Sequence, residues 1–450
     1  AAEPEDTTPP PVAAEPEDTT PPPVAAEPED TTPPPVAAEP EETTTSPDSV
    51  APTGNNACLP APTLPALSVS DPGKTVIEIT SESQLQSVLY TMSDNTVLHL
   101  APGTYHLSRS LWIHKNDITI RGDSNRCDEV ILVGKGMENA SGVDLVPFGI
   151  WTASNNLKVQ NLTIRDVYRH PIVINGTGQA PHIYNVRLLN AGQQFVKINP
   201  RSFGKGSNNG RLEYSLLKYT VGPPENDHGG GTGYIKGIDV HGGSNWVIRN
   251  NRFENFHTPD SAEYLYNPAV LMWNGSSNTL VENNVFVNVD RAIAFGLRYR
   301  TNDHSGGIIR NNMIATHEGL FSPERNVTTD AAIIVWSSPN TKVLHNTVIT
   351  QGNTNLAIEF RYNSQGGEVK NNLTDAPISD RDSNHPDAAN NVLITDTSIF
   401  HDIRNGDLHL SSPDSSVVNS APVLFDAPVD IDGSQRDHDS VSDAGADEYN

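Results

Sequence analysis

One short pattern recurs along most of the chain: a strand of alternating apolar and polar residues, broken by Asn or Asn-Asn. It occurs in NLKVQNLTI, HIYNVRLLN, NWVIRNNRFEN, TLVENNVFVN, GGIIRNNMI, TKVLHNTVI and EVKNNLTD, with the second Asn or its equivalent at positions 161, 185, 251, 284, 312, 346 and 372. Repeats with irregular spacing are typical of a solenoid, in which short strands stack and loops of variable length leave the coil.

The pattern predicts an all-β fold, a single-stranded right-handed parallel β-helix. Asn at a bend tolerates left-handed backbone angles, and stacked Asn side chains form amide ladders. The strands do not alternate with helical crossovers, which argues against an α/β barrel. A β-sandwich is the alternative, but sandwiches do not repeat Asn at their bends.

The first 50 residues differ in composition from the rest. AAEPEDTTPPPV occurs three times, at 1–12, 13–24 and 25–36, and residues 1–50 contain thirteen acids and no Lys or Arg, half of the net charge of −26. Pro-rich segments of like charge bury too little apolar surface to order, so this segment is predicted to be disordered. It is either a stalk that attaches the protein to a cell surface and holds the folded part away from it, or a disordered tail without that role. The expected organisation is a stalk over 1–56, an N-terminal cap and first coils over 57–120, the β-helix over 121–410 and a C-terminal cap over 411–450.

Composition also limits the partners. No basic patch is present to hold phosphates, so nucleic acid is not expected, and no apolar run reaches the roughly 18 residues of a membrane span. The chain opens with Ala and shows no signal peptide, which indicates a processed product. Cys58 and Cys127 are the two cysteines, and a bridge between them would indicate an oxidising compartment.

Eight strands precede the Asn turns by about ten residues, and alternation assigns their faces. Two inward columns are apolar throughout. The first outward column is then Gly149, Val173, Lys197, Asp239, Leu271, Ala294, Ile334 and Glu359, and the second is Trp151, Asn175, Asn199, His241, Trp273, Gly296, Trp336 and Arg361. Because neighbouring coils are about 4.8 Å apart, Lys197, Asp239 and His241 are expected to lie together.

The second column predicts a sugar-binding groove, since an indole face stacks against the C–H side of a sugar ring. Coverage of each Trp by the loops 200–233 or 298–307 is the alternative. His304 is placed over the groove or in an ordinary turn, and Glu359 with Arg361 forms a surface ion pair or a distal substrate contact. The candidate substrate-binding residues are Trp151, Asn175, Asn199, Trp273, His304, Trp336, Glu359 and Arg361.

The clustered residues suit proton abstraction next to a uronate carboxylate. Lys197 or His241 can act as the base, and the carboxylate is then stabilised by Asn199, by Arg291, or by a Ca²⁺ ion held partly by Asp239. Asp239 and Glu359 are four coils apart, roughly 19 Å, which is too far for the paired carboxylates of a glycosidase at about 5–9.5 Å. The alternative for each of these residues is an ordinary solvated polar position.

The repeat, the turn asparagines and the C-terminal DIDGSQRDHDSVSDAGADEY resemble secreted bacterial β-helix proteins of the polysaccharide lyase and epimerase superfamily. KGIDVHGGSNWVIRNN is similar to the Asp-Pro-His segment of mannuronan C5-epimerases, which implies functional roles for Asp239 and His241; DRAIAFG is similar to a later Arg-His segment, which implies a role for Arg291. Val240, Lys236 and Ala292 stand where that family has Pro, Tyr and His.

The clustered residues, the Trp column and the resemblance predict two alternative functions. The first is an extracellular enzyme that acts on an acidic, uronate-containing polysaccharide as a β-elimination lyase or a C5-epimerase, with Lys197 or Lys236 as the base if it is a lyase. The alternative is a non-catalytic glycan-binding or structural protein of the cell surface or matrix, with a Trp-lined groove. DIDG, at 430–433, has acids spaced for Ca²⁺ but lacks the rest of an EF-hand loop, and is interpreted as part of the C-terminal cap.

Overall fold

The computed structural model of the protein describes residues 58–60, 70–138, 146–436 and 441–449. Their strands stack into a parallel β-helix with three faces, which confirms the fold class expected from the Asn repeat. The acidic repeats over 1–50 lie outside the described residues. No helix in the described part of the chain is long and apolar enough to cross a membrane.

The first and second faces are two parallel stacks joined through the ten-residue strands Lys158–Val167 and His182–Ala191, which run through both. The first face also contains Thr75–Ile79, Thr96–Leu100, Thr119–Gly122, Arg211–Glu213, Val247–Arg249, Leu280–Glu282, Ile308–Arg310, Lys342–Leu344, Glu368–Lys370 and Asp387–Ala389. The second face also contains Gly103–His106, Val130–Val133, Leu216–Lys218, Arg252–Glu254, Val285–Val287, Met313–Ala315, Thr347–Ile349, Leu373–Thr374 and Val392–Leu393.

The third face is a separate ten-stranded sheet, called the site sheet below. Its strands, all parallel, are Leu111–Ile113, Phe148–Thr152, His170–Asn175, Val196–Asn199, Ile238–His241, Pro268–Trp273, Arg291–Phe295, Ala331–Trp336, Leu356–Arg361 and Ile378–Asp380. The elements outside the three faces are the helices Glu82–Thr91 and Pro323–Val327, the 3₁₀ turn Ile403–Asn405, and the short strand pairs Ser276–Ser277 with His304–Ser305, Phe400–Asp402 with Asp407–Leu410, and Ala421–Pro422 with Val441–Ser442.

The Asn turns separate the first face from the second. The two residues of each Asn-Asn pair have different structural roles. The first residue takes a left-handed backbone, with φ of 55° at Asn250 and Asn283. The second joins a buried amide ladder, in which Asn251 Nδ2 donates to Asn284 Oδ1 at 3.0 Å. The ladder continues through Asn312, Asn346, Asn372 and Asn391. The repeat of Asn in the sequence therefore has a direct structural cause.

The two predicted apolar columns of the site sheet face the core, where they meet apolar residues of the other two faces, with one correction to the prediction. Ile172, Val196 and Ile238 pair in register as expected. Ile150 pairs with Ile172 and not with Ile174, so the prediction for strand Phe148–Thr152 was wrong by two residues. Alternation determines which side chains face the core, but a slip of two residues preserves that facing, so alternation alone does not set the register.

Two outer elements were not anticipated as they occur. Helix Glu82–Thr91 starts at the N-cap Ser81, buries Leu85 and Leu89 in the core, and packs against the first strands of the coil. The C-terminal segment lies against the outer side of the second face, where Ile431 and Phe400 cover apolar residues such as Val285. The DIDG motif forms a turn within it, because Asp430 Oδ1 accepts the backbone N–H groups of residues 432 and 434 at 2.9 and 2.7 Å.

Candidate functional site

The outward side of the site sheet holds the candidate chemistry in one column of paired residues. Reading from the N-terminal strand, this column is Trp112, Trp151, Val173, Lys197, Asp239, Leu271, Ala294, Ile334 and Glu359. It matches the predicted first column except that Trp151 takes the place expected for Gly149. Lys197 and Asp239 are therefore direct neighbours on adjacent strands, as the sequence predicts.

Lys197, Asp239 and His241 meet in a compact group, called the Lys–Asp–His cluster below. Lys197 Nζ donates to Asp239 Oδ2 at 2.8 Å and lies 3.0 Å from His241 Nε2, which is 3.3 Å from Asp239 Oδ1. Their exposed fractions are 6%, 0% and 7%. Three groups that can hold or move a proton thus share one nearly closed position on the sheet.

The charge of Asp239 is held by the cations around it. Burial by itself raises the pKa of this carboxyl, but Lys197, His241 and Lys236 outweigh burial and keep the pKa well below its usual range. Lys236 Nζ is 3.8 Å from Asp239 Oδ2 and lies over the Tyr234 ring at 4.1 Å. Asp239 therefore stays ionised in the folded protein and anchors two ammonium groups.

A calcium ion does not fit at Asp239. Its Oδ1 accepts a hydrogen bond from Trp273 Nε1 at 2.9 Å, and its Oδ2 accepts one from Lys197. Ca²⁺ needs six to eight oxygen ligands, whereas this carboxylate is surrounded by nitrogen donors. Among the described ranges, the one group of three residues with metal-ligand geometry is distant in the sequence, at His409, Asp432 and Asp447 in the C-terminal segment.

Two loop residues determine the tautomer of His241, and the sequence carried no signal for either. Arg300 Nη1 donates to Asn274 Oδ1, so the amide nitrogen of Asn274 is directed at His241 Nδ1, 2.7 Å away. Since an amide N–H₂ can only donate, Nδ1 accepts and the ring proton resides on Nε2. That N–H lies between Asp239 and Lys197. Arg300 is itself held by Asp303 at 3.2 Å.

The prediction of an open Trp column was wrong, because Trp273 and Trp336 are 1% and 5% exposed. The Arg298 guanidinium lies over Trp273 at 5.3 Å, and Arg291 and Arg361 lie over Trp336 at 5.3 and 5.2 Å. Both indoles belong to a small second core on the outer side of the sheet, together with Leu271, Ala294, Ala331 and Ile334. Coverage by the loop 298–307, the alternative to an open column, occurs at Trp273 through Arg298, whereas Trp336 is covered by arginines at the ends of two strands.

Trp151 was also placed in the wrong column. It pairs with Trp112 and Val173, and its ring centroid is 4.7 Å from that of Trp112. Both indoles are half-buried. The two-residue slip in register described above accounts for the change, since it moves Trp151 from the column of Trp273 to the column of Lys197 without altering the face it occupies.

His304 does not lie over a groove. It is fully buried, its ring is 4.1 Å from Phe295, and its two ring nitrogens contact Thr279 Oγ1 at 3.1 Å and Ser338 Oγ at 2.9 Å. Burial lowers the pKa of His304 to about 3. Its role in this structure is to join coils through neutral hydrogen bonds.

The remaining predicted residues divide into two groups. Asn175 and Asn199 stay half-buried next to the cluster, where Asn199 Nδ2 donates to Asn175 Oδ1 at 3.1 Å. Glu359 and Arg361 are 2% and 5% exposed rather than at the surface. Glu359 accepts from Trp336 Nε1 at 2.7 Å, and burial, together with the nearby Asp330 charge, raises its pKa.

Arg291 is not brought into the cluster. It starts its strand opposite Pro268, three residues before Ala294, which occupies the column of Asp239. Its guanidinium pairs with Asp330 and stacks on Trp336 and Tyr266. Of the four residues predicted to be catalytic, three therefore meet and the fourth stacks on Trp336 of the second core.

Comparison with known proteins identifies the fold but no family. No protein-family model and no curated protein matches the chain. Among solved structures, pectate lyase Pel9A aligns over 84% of this chain and 97% of its own, with a TM-score of 0.53 and 11% identity. An alginate lyase from Paenibacillus sp. str. FPU-7 covers 70% of this chain and 97% of its own (TM-score 0.45, 16% identity). For a polygalacturonase from Erwinia carotovora ssp. carotovora the values are 73%, 96%, 0.44 and 13%. The likeness to the pectate lyase confirms the β-helix that the resemblance implied.

Proposed function

We propose that the protein removes the C5 proton of a uronate unit in an acidic polysaccharide, as a β-elimination lyase or a C5-epimerase. The observation that carries this proposal is the Lys–Asp–His cluster, in which an amine, an imidazole and an ionised carboxylate lie within 3.3 Å of one another on the outer side of the sheet. The solved pectate lyase of the same fold, which by its name acts on pectate, supports the class of substrate.

In the proposed step, the Lys197 ammonium first gives one proton to solvent. The resulting amine then takes the C5 proton, and the electrons of the C–H bond pass to the substrate carboxylate as an enediolate. In elimination these electrons then form the C4–C5 double bond while the C4–O4 bond breaks and O4 takes a proton. In epimerisation a proton returns to C5 from water on the side opposite Lys197. His241 Nε2 lies 3.0 Å from Lys197 Nζ, on the same side of the sugar, and is the proton donor to O4 in elimination. Asn199 is the group available to hold the substrate carboxylate.

Asp239 does not take part as a base in this mechanism. Its lowered pKa makes it a poor proton acceptor, and its role is to orient Lys197 and His241 from a fully buried position on the outer side of the sheet. No step passes through a metal ion, because the donors around Asp239 do not fit calcium.

A second candidate function is glycan binding without chemistry. The burial of the cluster favours this second function, because Asp239 is fully buried and all three members are hydrogen-bonded to one another. In that case the cluster is a buried polar network that stabilises the coil, and the surface nearby does the binding.

The test compares wild type with Lys197→Ala and His241→Gln on polymannuronate, polyguluronate and polygalacturonate. Elimination is followed by the absorbance of the unsaturated product, and epimerisation by deuterium uptake at C5 in D₂O. Both variants are expected to lose activity, whereas Lys342→Ala, which removes an ion-paired lysine on the first face, retains it. Wild-type protein that binds a polymer but yields neither signal with any of the three would establish the second function instead.

We also propose that the protein works outside the cell. The disulfide between Cys58 and Cys127 supports this, because disulfides persist in oxidising compartments. The acidic repeats remain the proposed attachment to a cell surface. Analysis of thiols in protein recovered without reducing agent tests the compartment, and two free thiols would contradict it.

A further inference from the structure

Two partly exposed aromatic side chains lie at the N-terminal end of the site sheet, in the same column as the Lys–Asp–His cluster. Trp112 and Trp151 are half-buried, and their ring centroids are 4.7 Å apart with an angle of 47° between the ring planes. Phe148 packs edge-on against Trp112 at 6.1 Å. The two indoles are called the aromatic platform below.

The platform is continuous with the cluster. Trp151 pairs with Val173, which pairs with Lys197, so Trp151 is two coils from the candidate base, roughly 10 Å along the axis. Trp112 is one coil further, at roughly 14 Å. The spacing of about 4.8 Å between coils matches the repeat of a sugar chain that lies along the coil axis. On the other side of the cluster, Trp273 and Trp336 are closed off by arginines.

The edge of the platform carries exposed groups that suit an anionic chain. His114 is exposed, with its ring 6.0 Å from that of Trp151, and Lys115 beside it in the sequence is exposed as well. An indole face takes the C–H side of a sugar ring, while an imidazole and an ammonium group can meet its hydroxyl and carboxylate oxygens.

We propose that the aromatic platform binds sugar units of the uronate polymer on the N-terminal side of the cluster. The bound chain then runs from the cluster towards Trp112 and not towards Trp336. This inference rests on the proposed function for the identity of the polymer, but the binding it describes does not require catalysis.

The experiment measures binding of polymannuronate, polyguluronate and polygalacturonate by affinity electrophoresis, in the Lys197→Ala background so that no polymer is consumed. Trp151→Ala and Trp112→Ala are each expected to weaken binding about five- to tenfold, and Trp151→Phe to retain most of it. Tyr90→Ala and Tyr299→Ala, which remove exposed phenol rings at 72% and 73% exposure, serve as controls and are expected to bind as the parent does.

The outcomes separate the two proposals. Equal binding by the Trp→Ala variants and their parent, absence of binding to all three polymers, or a larger loss in Tyr299→Ala than in Trp151→Ala would each overturn the platform. Platform-dependent binding in a wild-type protein that yields no unsaturated product and no deuterium uptake would support the platform and overturn the proposed catalysis.

Discussion

The two halves of the site sheet both have Trp and acidic residues on their outer side. They differ in how far the tryptophans are exposed and in the direction of the pKa shift of the carboxyl. In the N-terminal half, Trp112 and Trp151 remain half-buried and Lys197 faces an ionised Asp239. In the C-terminal half, Trp273 and Trp336 are enclosed in a second core. The carboxyls differ as well, since the pKa of Asp239 is lowered and that of Glu359 is raised.

The contrast shows that side chains from loops and from strand ends decide which part of the surface is exposed. Arg298, in the loop after strand Arg291–Phe295, lies over Trp273, and Arg361 at the end of its own strand lies over Trp336. The Lys–Asp–His cluster is at the boundary between the halves. It is connected to the closed half through the hydrogen bond from Trp273 to Asp239.

The largest expected effect on stability is that of neutralising Asp239, compared with neutralising Glu359. Asp239→Asn leaves Lys197 and Lys236 buried without a counter-charge and is expected to lower the free energy of unfolding by about 3–5 kcal/mol. Glu359→Gln keeps an acceptor for Trp336 and removes a charge that burial disfavours, so it is expected to change stability by less than about 1 kcal/mol or to increase it. Urea unfolding at neutral pH measures both, and equal losses would remove the electrostatic contrast between the halves.

The tryptophans provide the next comparison. Trp273→Ala empties a buried site and leaves Asp239 without a donor, so a loss of about 3 kcal/mol in stability is expected. Trp151→Ala removes a side chain that is already partly hydrated and is expected to cost about 1 kcal/mol. Thermal unfolding of the two variants checks this order. A Trp151→Ala variant as unstable as Trp273→Ala would show that the platform is a structural element.

A smaller effect, on activity rather than stability, is expected from Asn274→Asp. A carboxylate opposite Nδ1 accepts a proton where the amide donates one, and this moves the ring proton of His241 from Nε2 to Nδ1. We expect activity to fall at least about tenfold, equivalent to about 1.4 kcal/mol, and its pH profile to shift. Nitrogen chemical shifts of His241 report the tautomer directly, and an unchanged Nε2–H signal would contradict the assignment.

The smallest expected effect is a difference in the pH dependence of stability. Because the folded-state pKa of Asp239 is lowered, its contribution is complete above the ordinary carboxyl pKa of about 3.9 and is lost only as the pH falls through the lowered value. Glu359 has a raised pKa, so the folded state binds its proton more tightly and gains stability as the pH falls towards the ordinary value of about 4.3. Between pH 7 and that value, the advantage of Glu359→Gln over wild type is expected to shrink, which urea unfolding across a pH series measures.

Much of the fold could be predicted because its signals are local and repeated. The Asn turns, the alternation of strand residues and the apolar columns each occur in several coils, so one ambiguous strand does not hide the pattern. The placement of Lys197 next to Asp239 followed from the same repetition. Helix Glu82–Thr91 occurs once, and no such repetition marks it.

The sequence by itself determined the coil, the facing of its side chains and the meeting of Lys197, Asp239 and His241, because a strand with a period of two and a constant step between coils leaves little freedom. Only the tertiary structure decided the register of Trp151, the burial of Trp273 and Trp336, and the tautomer of His241. Each of these depends on a loop or a two-residue slip, in which residues far apart in the chain meet without any periodic signal. Arg300, which orients Asn274 and through it His241, is the clearest case.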